Sequence, residues 1–557
     1  MNRKLILILS LVLCAFFVLT ACGGDTVTDN SEQPPSDTSK ENEIKESQER
    51  IVRVTAAFPI NCDPHTGASG GDQIYMFNVY DALVFSEADG TLVPHLAEKW
   101  DISDDGLTYH FYLRKGVKFH DGTELKANDV VFSYNRLVNL GEGFAYLYVD
   151  YVDSFEVVDD YTVRVNMKKT FGPFITSLVR FPIACEAIVR KNTQSGDYGE
   201  FGDYGKAYLL DHDAGSGPYR LVEYAAQSYA YCDKFDDYFL GWTGNNPEKF
   251  HIISTADAAT LRTMFSNKEL EITDEWQSNE TLTALAKMDG VTVAHMKTGQ
   301  VLTVEFNTAL APTDDVHFRK ALAHLVDYDT ILDQIFPGTN QAYGPVSQSY
   351  KGSSKDLYQY NYDIDKAKEE LALSRYADNF GEYEITLQYS EDVADQGKVA
   401  LLLQQSLAEV GITLKVNAVP WATQVASVGA IETTPNVSIY LPSGDFNEAG
   451  SVLQTSYHSS STGSIHTYMW VQDDEIDNMI MDALSTVDDE QRMKKYKELQ
   501  SFLIDYCPAA YINDQPEKRA YQSGYLYWPE GELAAQGGNN APLYGRAVYA
   551  RTIEFLD

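Results

Sequence analysis

The most distinctive stretch of the chain reads LTYHFYLRKGVKFHDG and spans residues 107–122. Every second residue from Leu107 to Leu113 is apolar or aromatic, which predicts a strand with one buried face. The segment FHDGT at residues 119–123 has the composition of a turn. The following NDVVFS at residues 128–133 is typical of a capped helix start. This part of the chain is therefore predicted to run from strand through turn to helix.

Further along the chain the patterns indicate mixed α and β structure. Residues 51–58 read IVRVTAAF and predict a first strand, and short alternating strands dominate residues 100–160. Later, a helical stretch from Lys398 to Glu409 is followed by Gly411 and a β-branched strand. Helix, glycine and strand in that order are typical of the α/β class.

Length and charge restrict the possible architectures and partners. The chain has 557 residues, of which 44% are hydrophobic, and its net charge is −38. Because single cores stop growing near about 250–300 residues, we expect at least two lobes. The strong negative charge argues against nucleic acid as a partner and against a polybasic membrane contact.

The cysteines do not indicate a metal site. Two of the six lie in the first 22 residues, and the others are Cys62, Cys185, Cys232 and Cys507. These four have neither the C-x-x-C pattern nor zinc-ligand spacing, so no metal and no cofactor are expected. An exported protein permits disulfides, but the pairing does not follow from sequence, and buried free thiols are an equal alternative.

The N-terminus has the pattern of an export signal. It reads NRK at residues 2–4, is almost wholly apolar from Leu5 to Leu19, and reads LTAC at residues 19–22. A basic start, a short apolar run and small residues before the cut are typical of a secretory signal peptide. The apolar run is shorter than the ~20 residues that span a membrane. A plain signal peptide and an uncleaved anchor are the alternatives.

The end of this leader resembles the lipobox of bacterial lipoproteins. The resemblance implies that residues 1–21 are removed and that Cys22 carries a diacylglycerol, which anchors the protein to the membrane on its outer side. Residues 22–50 contain almost nothing apolar, so they are predicted to form a disordered tether.

Three segments in order resemble the signature region of family 5 solute-binding proteins, the oligopeptide- and dipeptide-binding proteins of ABC importers and their relatives. They are PHLAEKW (94–100), LTYHFYLRKGVKFHDG (107–122) and NDVVFS (128–133). Shorter matches follow the same order along the chain. They are DPH (63–65), YDAL (80–83), GSGPYRL (215–221), FRKALA (318–323), VDYD (326–329), YD (362–363) and KAK (366–368).

The resemblance implies an α/β, bilobal periplasmic-binding-protein-like (Venus flytrap) fold with an extra β-rich domain inserted in lobe one. The predicted limits are 51–85, 215–300 and 505–557 for lobe one, 86–214 for the inserted domain and 301–504 for lobe two. The implied function is peptide capture between the lobes, without catalysis. The implied partners are an ABC permease and its ATPase subunits, and we expect a monomer.

One further segment predicts a ligand contact. Residues 444–453 read GDFNEAGSVL and resemble the stretch of oligopeptide binders whose aspartate holds the peptide's α-ammonium. By position, Asp445 is the aspartate that would hold the ammonium, since a buried cation needs a fixed opposite charge. Ala449, Pro442 and Ala68 depart from the family's usual residues, so a non-peptide ligand remains an alternative.

Aromatic side chains are candidates for lining the ligand cleft. The chain contains 37 tyrosines. Aromatic faces bind varied side chains or sugars with little loss of entropy. The candidates are Tyr231, Trp421, Tyr440 and Trp470, and a core or surface position is the alternative for each.

Three other functions remain open. Within the family, the ligand is alternatively a nickel chelate, an oligosaccharide or a signalling peptide. Residues 67–71 read GASGG and match G-x-S-x-G, so an exported serine hydrolase using Ser69 is a second alternative. A surface receptor or adhesin that has kept the fold without transport is the third.

Overall fold

The computed structural model describes residues 49–56, 59–255, 257–537 and 548–556. The predicted signal peptide, the predicted lipidation site Cys22 and the tether up to residue 48 lie outside these residues. Within the described residues, no helix has both the length and the apolar character that crossing a membrane requires.

Strands and helices alternate along the described chain. The strands are β1 (Ile51–Ala56), β2 (Val84–Ser86), β3 (Leu92–Pro94), β4 (Ala97–Ile102), β5 (Thr108–Leu113), β6 (Val152–Asp159), β7 (Thr162–Met167), β8 (Tyr219–Ala225), β9 (Tyr229–Lys234), β10 (Lys249–Ser254), β11 (Thr292–Phe306), β12 (Glu384–Ser390), β13 (Thr413–Val419), β14 (Val437–Tyr440), β15 (Ala509–Tyr521), β16 (Leu526–Tyr527) and β17 (Glu554–Phe555). The helices are α1 (Gly70–Val79), α2 (Ala127–Leu140), α3 (Phe174–Ser177), α4 (Glu186–Lys191), α5 (Ala258–Ser266), α6 (Asn279–Leu285), α7 (Val316–His324), α8 (Tyr328–Thr330), α9 (Ile364–Leu373), α10 (Ala394–Glu409), α11 (Trp421–Ser427), α12 (Ala449–Tyr457), α13 (Asp474–Ser485), α14 (Asp489–Tyr506) and α15 (Pro529–Ala535).

The first sheet has the strand order β1-β10-β9-β8. Its strand β1 is parallel to β10, with Val54 opposite Ile252, and the other pairs are antiparallel. Val52 and Val54 are buried while Arg53 between them is half-buried, as expected for a strand with one core face. The predicted first strand is confirmed as far as Ala56.

A separate four-stranded antiparallel sheet has the order β4-β5-β7-β6. The predicted alternation is confirmed here, because Tyr109, Phe111 and Leu113 are buried and their neighbours are half-buried. Helix α2 packs on strands β6 and β7 of this sheet. Its start is capped by Asp129, whose Oδ2 accepts a hydrogen bond of 2.9 Å from the backbone N of Lys126.

The second large sheet has the order β13-β12-β14-β11-β15. Strands β12 and β13 are parallel, and α10 connects them and packs on both, as in a βαβ unit. Strands β11 and β15 are unusually long and pair with each other, with an irregularity between Met296 and Gln300. At their far end Tyr521 bridges to Ile272, which in turn bridges to Val54 of the first sheet. These two strands therefore run from one sheet into the other.

Predicted helices differ from the observed ones mainly at their ends. The sequence pattern predicts helices over residues 315–324, 365–373, 473–484 and 488–504. The observed helices α7, α9, α13 and α14 lie within two residues of these limits. The predicted helix from Lys398 begins earlier, at Ala394, and takes Gly397 into its first turns. A Cβ at Gly397 would lie 2.8 Å from the Tyr389 hydroxyl on β12, so the glycine is needed for close packing rather than as a helix boundary.

The four cysteines of the described residues are buried free thiols, which was one of the two alternatives. Burial raises the pKa of Cys62 and of Cys185 to about 12 and that of Cys507 to about 11. These thiols are therefore protonated at neutral pH.

The predicted domain limits can be placed on this topology but stay a prediction. The limit at residue 300 falls within β11, at the end of its irregularity, and the limit at residue 504 falls near the end of α14. The segment assigned to the inserted domain, residues 86–214, contains the separate four-stranded sheet.

Candidate functional site

Asp445 lies in a well-fixed loop between β14 and α12. Its backbone N donates a hydrogen bond of 2.6 Å to Oγ of Ser451, in the first turn of α12. The next residue, Phe446, is fully buried and anchors the loop in the core. Asp445 itself is half-buried, so its carboxylate is held in place while remaining partly accessible.

Two side chains from the predicted inserted domain reach this loop. The hydroxyl of Tyr146 donates a hydrogen bond to Oδ2 of Asp445. Nε of Arg180 donates to the backbone carbonyl of Asp445 at 2.6 Å, and Nη1 donates to Oε1 of Gln73 on α1 at 2.5 Å. Asp445 is therefore the point where three distant parts of the chain meet.

Burial shapes the electrostatics around Asp445. The Arg180 side chain is 3% exposed, and its guanidinium lies over the rings of Phe144 and Phe77, with centroid distances of 5.0 and 5.9 Å. Burial lowers the pKa of Arg180, and the neighbouring Asp445 opposes that shift. Burial raises the pKa of Tyr146 well above its usual value, and the negative charge of Asp445 adds to the effect. Tyr146 therefore stays a neutral hydrogen-bond donor.

Tyr350 connects the Asp445 loop to the irregular part of β11. Its hydroxyl accepts a hydrogen bond of 2.7 Å from the backbone N of Gly444, directly before Asp445. The same ring packs against Gly299, where an added Cβ would lie 2.5 Å from Cε2 of Tyr350. Gly299 has φ +90°, a conformation that favours glycine. Strand β11 and the Asp445 loop are therefore in direct contact through the ring of Tyr350.

We expect Gly299→Ala to disturb both the fold and the site. The new methyl group would displace Tyr350, and overpacking of this kind costs roughly 1–3 kcal/mol. The free energy of unfolding and the ligand affinity should both fall. Gly338→Ala is the matched control, because Gly338 has a similar φ of +84° but nothing within 4 Å of the added Cβ. Equal denaturant midpoints for the two variants would contradict the role given to this contact.

Two of the predicted aromatic residues lie together near the site. The rings of Trp421 and Tyr440 are stacked, with centroids 6.3 Å apart, and Tyr440 also contacts the ring of Tyr468 at 5.1 Å. Burial raises the pKa of Tyr440 well above its usual value, and the charge of Asp445 contributes. Trp421 is 42% exposed, so this pair presents an aromatic surface to solvent.

The other two predicted aromatic residues lie elsewhere. Trp470 is 9% exposed, and its indole N donates a hydrogen bond of 2.8 Å to Oγ1 of Thr434. Tyr231 lies on β9 of the first sheet, where its ring stacks on Tyr229 and His251 at 4.1 and 4.0 Å. The structure therefore brings Tyr440 and Trp421 together but places Trp470 and Tyr231 in other surroundings.

A buried carboxyl on β11 was missed by the sequence reasoning. Glu305 is fully buried, and its Oε2 accepts a hydrogen bond of 2.9 Å from the backbone N of Tyr468. Burial raises the pKa of Glu305 to about 8. The sequence does mark this residue, because a single glutamate interrupts the apolar and β-branched run VLTVEF at residues 301–306.

Tyr146, Arg180 and Tyr350 were missed as well. Arg180 alone carried a sequence signal, since it is the one charged residue in the stretch FGPFITSLVRFPIAC at residues 171–185. An arginine within an apolar segment is expected to be either paired or functional. Nothing in the local sequence distinguishes Tyr146 and Tyr350 from the many other tyrosines.

Ser69, the residue of the hydrolase alternative, has a structural role. Its Oγ accepts a hydrogen bond of 3.2 Å from the backbone N of Asp72, and Oδ2 of Asp72 accepts one of 2.8 Å from the backbone N of Ser69. This reciprocal pair is a capping box at the start of α1. The nearby His65 hydrogen-bonds to Arg136 and to the carbonyl of Pro182 instead of to Ser69.

The described residues contain no group of three or more histidine, cysteine, aspartate or glutamate side chains placed to hold a metal ion. The chemistry of the Asp445 region is that of recognition, with one carboxylate, one guanidinium, neutral hydroxyl donors and aromatic faces. Such a set suits a polar, charged organic ligand.

A solved structure of a known protein shares the architecture of this chain. A solved structure of DppA, an ABC transporter-associated periplasmic binding protein of Helicobacter pylori in complex with the peptide STSA, superimposes with a TM-score of 0.76 at 20% identity, over 91% of this chain and 98% of that one. The similarity supports the bilobal α/β fold predicted above.

Curated relatives cover nearly the whole chain. The probable D,D-dipeptide-binding periplasmic protein of Escherichia coli is 26% identical over 495 residues, or 86% of this chain and 92% of its own length. Heme-binding protein A of Haemophilus influenzae is 28% identical over 521 residues, or 89% and 91%. Residues 91–464 match the family described as bacterial extracellular solute-binding proteins, family 5 middle. This match covers well over half of the sequence, and the chain belongs to the family 5 bacterial extracellular solute-binding proteins.

Proposed function

We propose that this protein captures peptides in the cleft between its lobes and delivers them to the permease and ATPase subunits of an ABC importer. The observation that carries the proposal is the state of Asp445. Its carboxylate is fixed and half-buried, and within the described residues it forms no ion pair; its partner is the neutral hydroxyl of Tyr146. A carboxylate held in this way is ready to receive an ammonium group.

The N-terminus of a free peptide is a positively charged ammonium group at neutral pH. Removing an ammonium from water costs several kcal/mol unless a fixed opposite charge replaces the hydration. Asp445 supplies that charge, and an extended peptide can pair its remaining backbone groups with those of the cleft. Closure of the lobes along β11 and β15 would then enclose the ligand.

The proposal includes the location of the protein, which is outside the cytoplasm and anchored to the membrane by a lipid. The leader ending in Leu19, Thr20 and Ala21 supports export, and Cys22 supports a lipid anchor on the outer face of the membrane. Family 5 members are extracellular solute-binding proteins, which agrees with that location.

A non-peptide ligand is the second candidate. One relative of similar identity is named as a heme-binding protein, and Ala449 and Pro442 depart from the residues usual in oligopeptide binders. The stacked pair of the exposed Trp421 and the half-buried Tyr440 would also suit a planar or sugar ligand.

A screen of di- to octapeptides tests the proposal. At a hundredfold excess over the dissociation constant, a true ligand stabilises the fold by about 2.7 kcal/mol. That is a rise in Tm of only about 2–3 °C for a chain of this size. Solution scattering should show a smaller radius of gyration with the same peptide. Absence of both effects across the screen would refute the peptide proposal and favour the second candidate.

A further inference from the structure

A short segment of the predicted inserted domain, residues 170–172, contacts predicted lobe two at the C-terminal end of α13. The backbone N of Gly172 donates a hydrogen bond of 2.8 Å to the carbonyl of Leu484, and Oγ1 of Thr170 donates one of 2.8 Å to the carbonyl of Ser485. The last carbonyls of a helix have no partner within the helix, so this segment caps α13 from a distant part of the chain. We call the contact between the segment, the end of α13 and the two residues that follow it the seam.

The seam packs tightly around Gly172. An added Cβ there would overlap the carbonyl oxygen of Thr486 and would lie 2.7 Å from Nη1 of Arg492. The backbone of Gly172 lies outside the left-handed region, so alanine is compatible with its conformation. The glycine is therefore needed for the close approach of two parts of the chain and not for a turn.

The loop that carries Asp445 reaches the seam through a buried ion pair. Glu448, three residues after Asp445, accepts hydrogen bonds of 2.7 and 2.9 Å from Nε and Nη2 of Arg492, and the two side chains are 2% and 5% exposed. Nη1 of Arg492 donates to the carbonyls of Thr486 and Val487 at 3.0 and 3.1 Å. One loop therefore carries the candidate ligand carboxylate and also positions the backbone that faces residues 170–172.

The contacts of the seam are of a kind that can part and form again. Its hydrogen bonds end on carbonyls at the end of a helix, and water can replace the donors of Thr170 and Gly172 there. The apolar part is an edge-to-face contact between the rings of Phe171 and Phe446, whose centroids are 6.2 Å apart. A contact surface with this share of polar groups is typical of domains that move relative to one another.

We propose that residues 170–172 are a latch that holds the closed form of the protein by capping α13, and that they set the ligand affinity through the equilibrium between open and closed forms. This inference rests on the proposed function in one respect, the closure of the lobes along β11 and β15. The apparent affinity for a ligand is proportional to the fraction of the protein in the binding-competent form. A residue that changes this fraction therefore changes the affinity without contacting the ligand.

Gly172→Ala tests the latch without any ligand. The added methyl group does not fit the closed seam, so solution scattering should give a larger radius of gyration than for the wild type. Gly381→Ala is the matched control, because Gly381 also lies outside the left-handed region and its added Cβ would meet nothing closer than 3.8 Å. An unchanged radius of gyration in Gly172→Ala would overturn the latch.

Thr170→Val is a milder second variant, for the case that Gly172→Ala does not fold. It keeps the shape of the side chain and removes only the hydrogen bond to Ser485. The radius of gyration should increase in the same direction as in Gly172→Ala, but by less. Peptides that bind the wild type in the screen should bind Thr170→Val about two- to tenfold more weakly and Gly172→Ala at least about tenfold more weakly.

The outcomes separate the latch from the proposed function. If peptides bind the wild type and all three variants equally, the latch is overturned while peptide capture stands. A lower Tm of Gly172→Ala with an unchanged radius of gyration and affinity would identify the seam as a permanent packing contact and would overturn the latch as well. If no peptide binds the wild type, the proposed function fails, and the radius of gyration of the two seam variants still decides whether the latch exists.

Discussion

Replacing Asp445 with alanine is expected to weaken peptide binding by about 2–5 kcal/mol, or roughly thirtyfold to several-thousandfold, mostly through faster dissociation. The reason is that the peptide ammonium would be buried in the closed cleft without an opposite charge. Tyr146 would also lose the acceptor for its hydroxyl. Calorimetry and dissociation rates on a peptide found in the screen measure the effect.

A double cycle separates the ionic contact from other damage. N-acetylation of the peptide removes the ammonium, so it should weaken binding to the wild type by a similar amount and hardly affect Asp445→Ala further. Asp445→Asn is the matched control, since it keeps an acceptor for Tyr146 and removes only the charge. If acetylated and free peptides bind the wild type equally, Asp445 is a structural loop residue and the site assignment is wrong.

The features that the sequence predicted well are those fixed by local patterns. The strand from residue 108 was predictable because alternation of polar and apolar residues requires one buried face, and Tyr109, Phe111 and Leu113 are buried. The same local reasoning identified the capped helix after it. The resemblance of residues 94–133 to a known family then supplied the bilobal fold, which local patterns alone do not determine.

The site was only partly predictable because its contacts are long-range. Asp445 could be proposed from its own segment, but its partners Tyr146 and Arg180 are 299 and 265 residues away. One helix start was misplaced for a similar reason, since Gly397 lies inside α10, where it leaves room for Tyr389 of a neighbouring strand. Composition alone likewise could not separate Tyr440, beside the site, from Tyr231 on another sheet.

Asp63→Asn is expected to cause the largest loss of stability, about 3–5 kcal/mol in the free energy of unfolding. Asp63 forms a bidentate pair with Arg136, at 2.6 Å from Nη1 to Oδ1 and 2.5 Å from Nη2 to Oδ2. The exposed fractions of the two side chains are 3% and 0%. The substitution would leave the guanidinium buried without its counter-charge. The shift of the urea unfolding midpoint measures the loss.

Among the residues that the structure describes, Arg136 has no charged partner other than Asp63. Its Nε donates to the carbonyl of Tyr204 at 2.8 Å, and Nη1 lies 3.0 Å from Nδ1 of His65. Burial and the charge of Arg136 lower the pKa of His65 to about 3, so this ring is neutral and acts as an acceptor at physiological pH. Removing the Asp63 carboxylate therefore leaves Arg136 with neutral partners only.

The control for this prediction removes both charges. Asp63→Leu combined with Arg136→Met should be substantially more stable than Asp63→Asn, because two apolar groups no longer require pairing. The pair joins the segment after β1 to α2 of the predicted inserted domain. A double variant as unstable as the single one would show that the hydrogen bond to Tyr204, and not the ion pair, holds these two parts of the chain together.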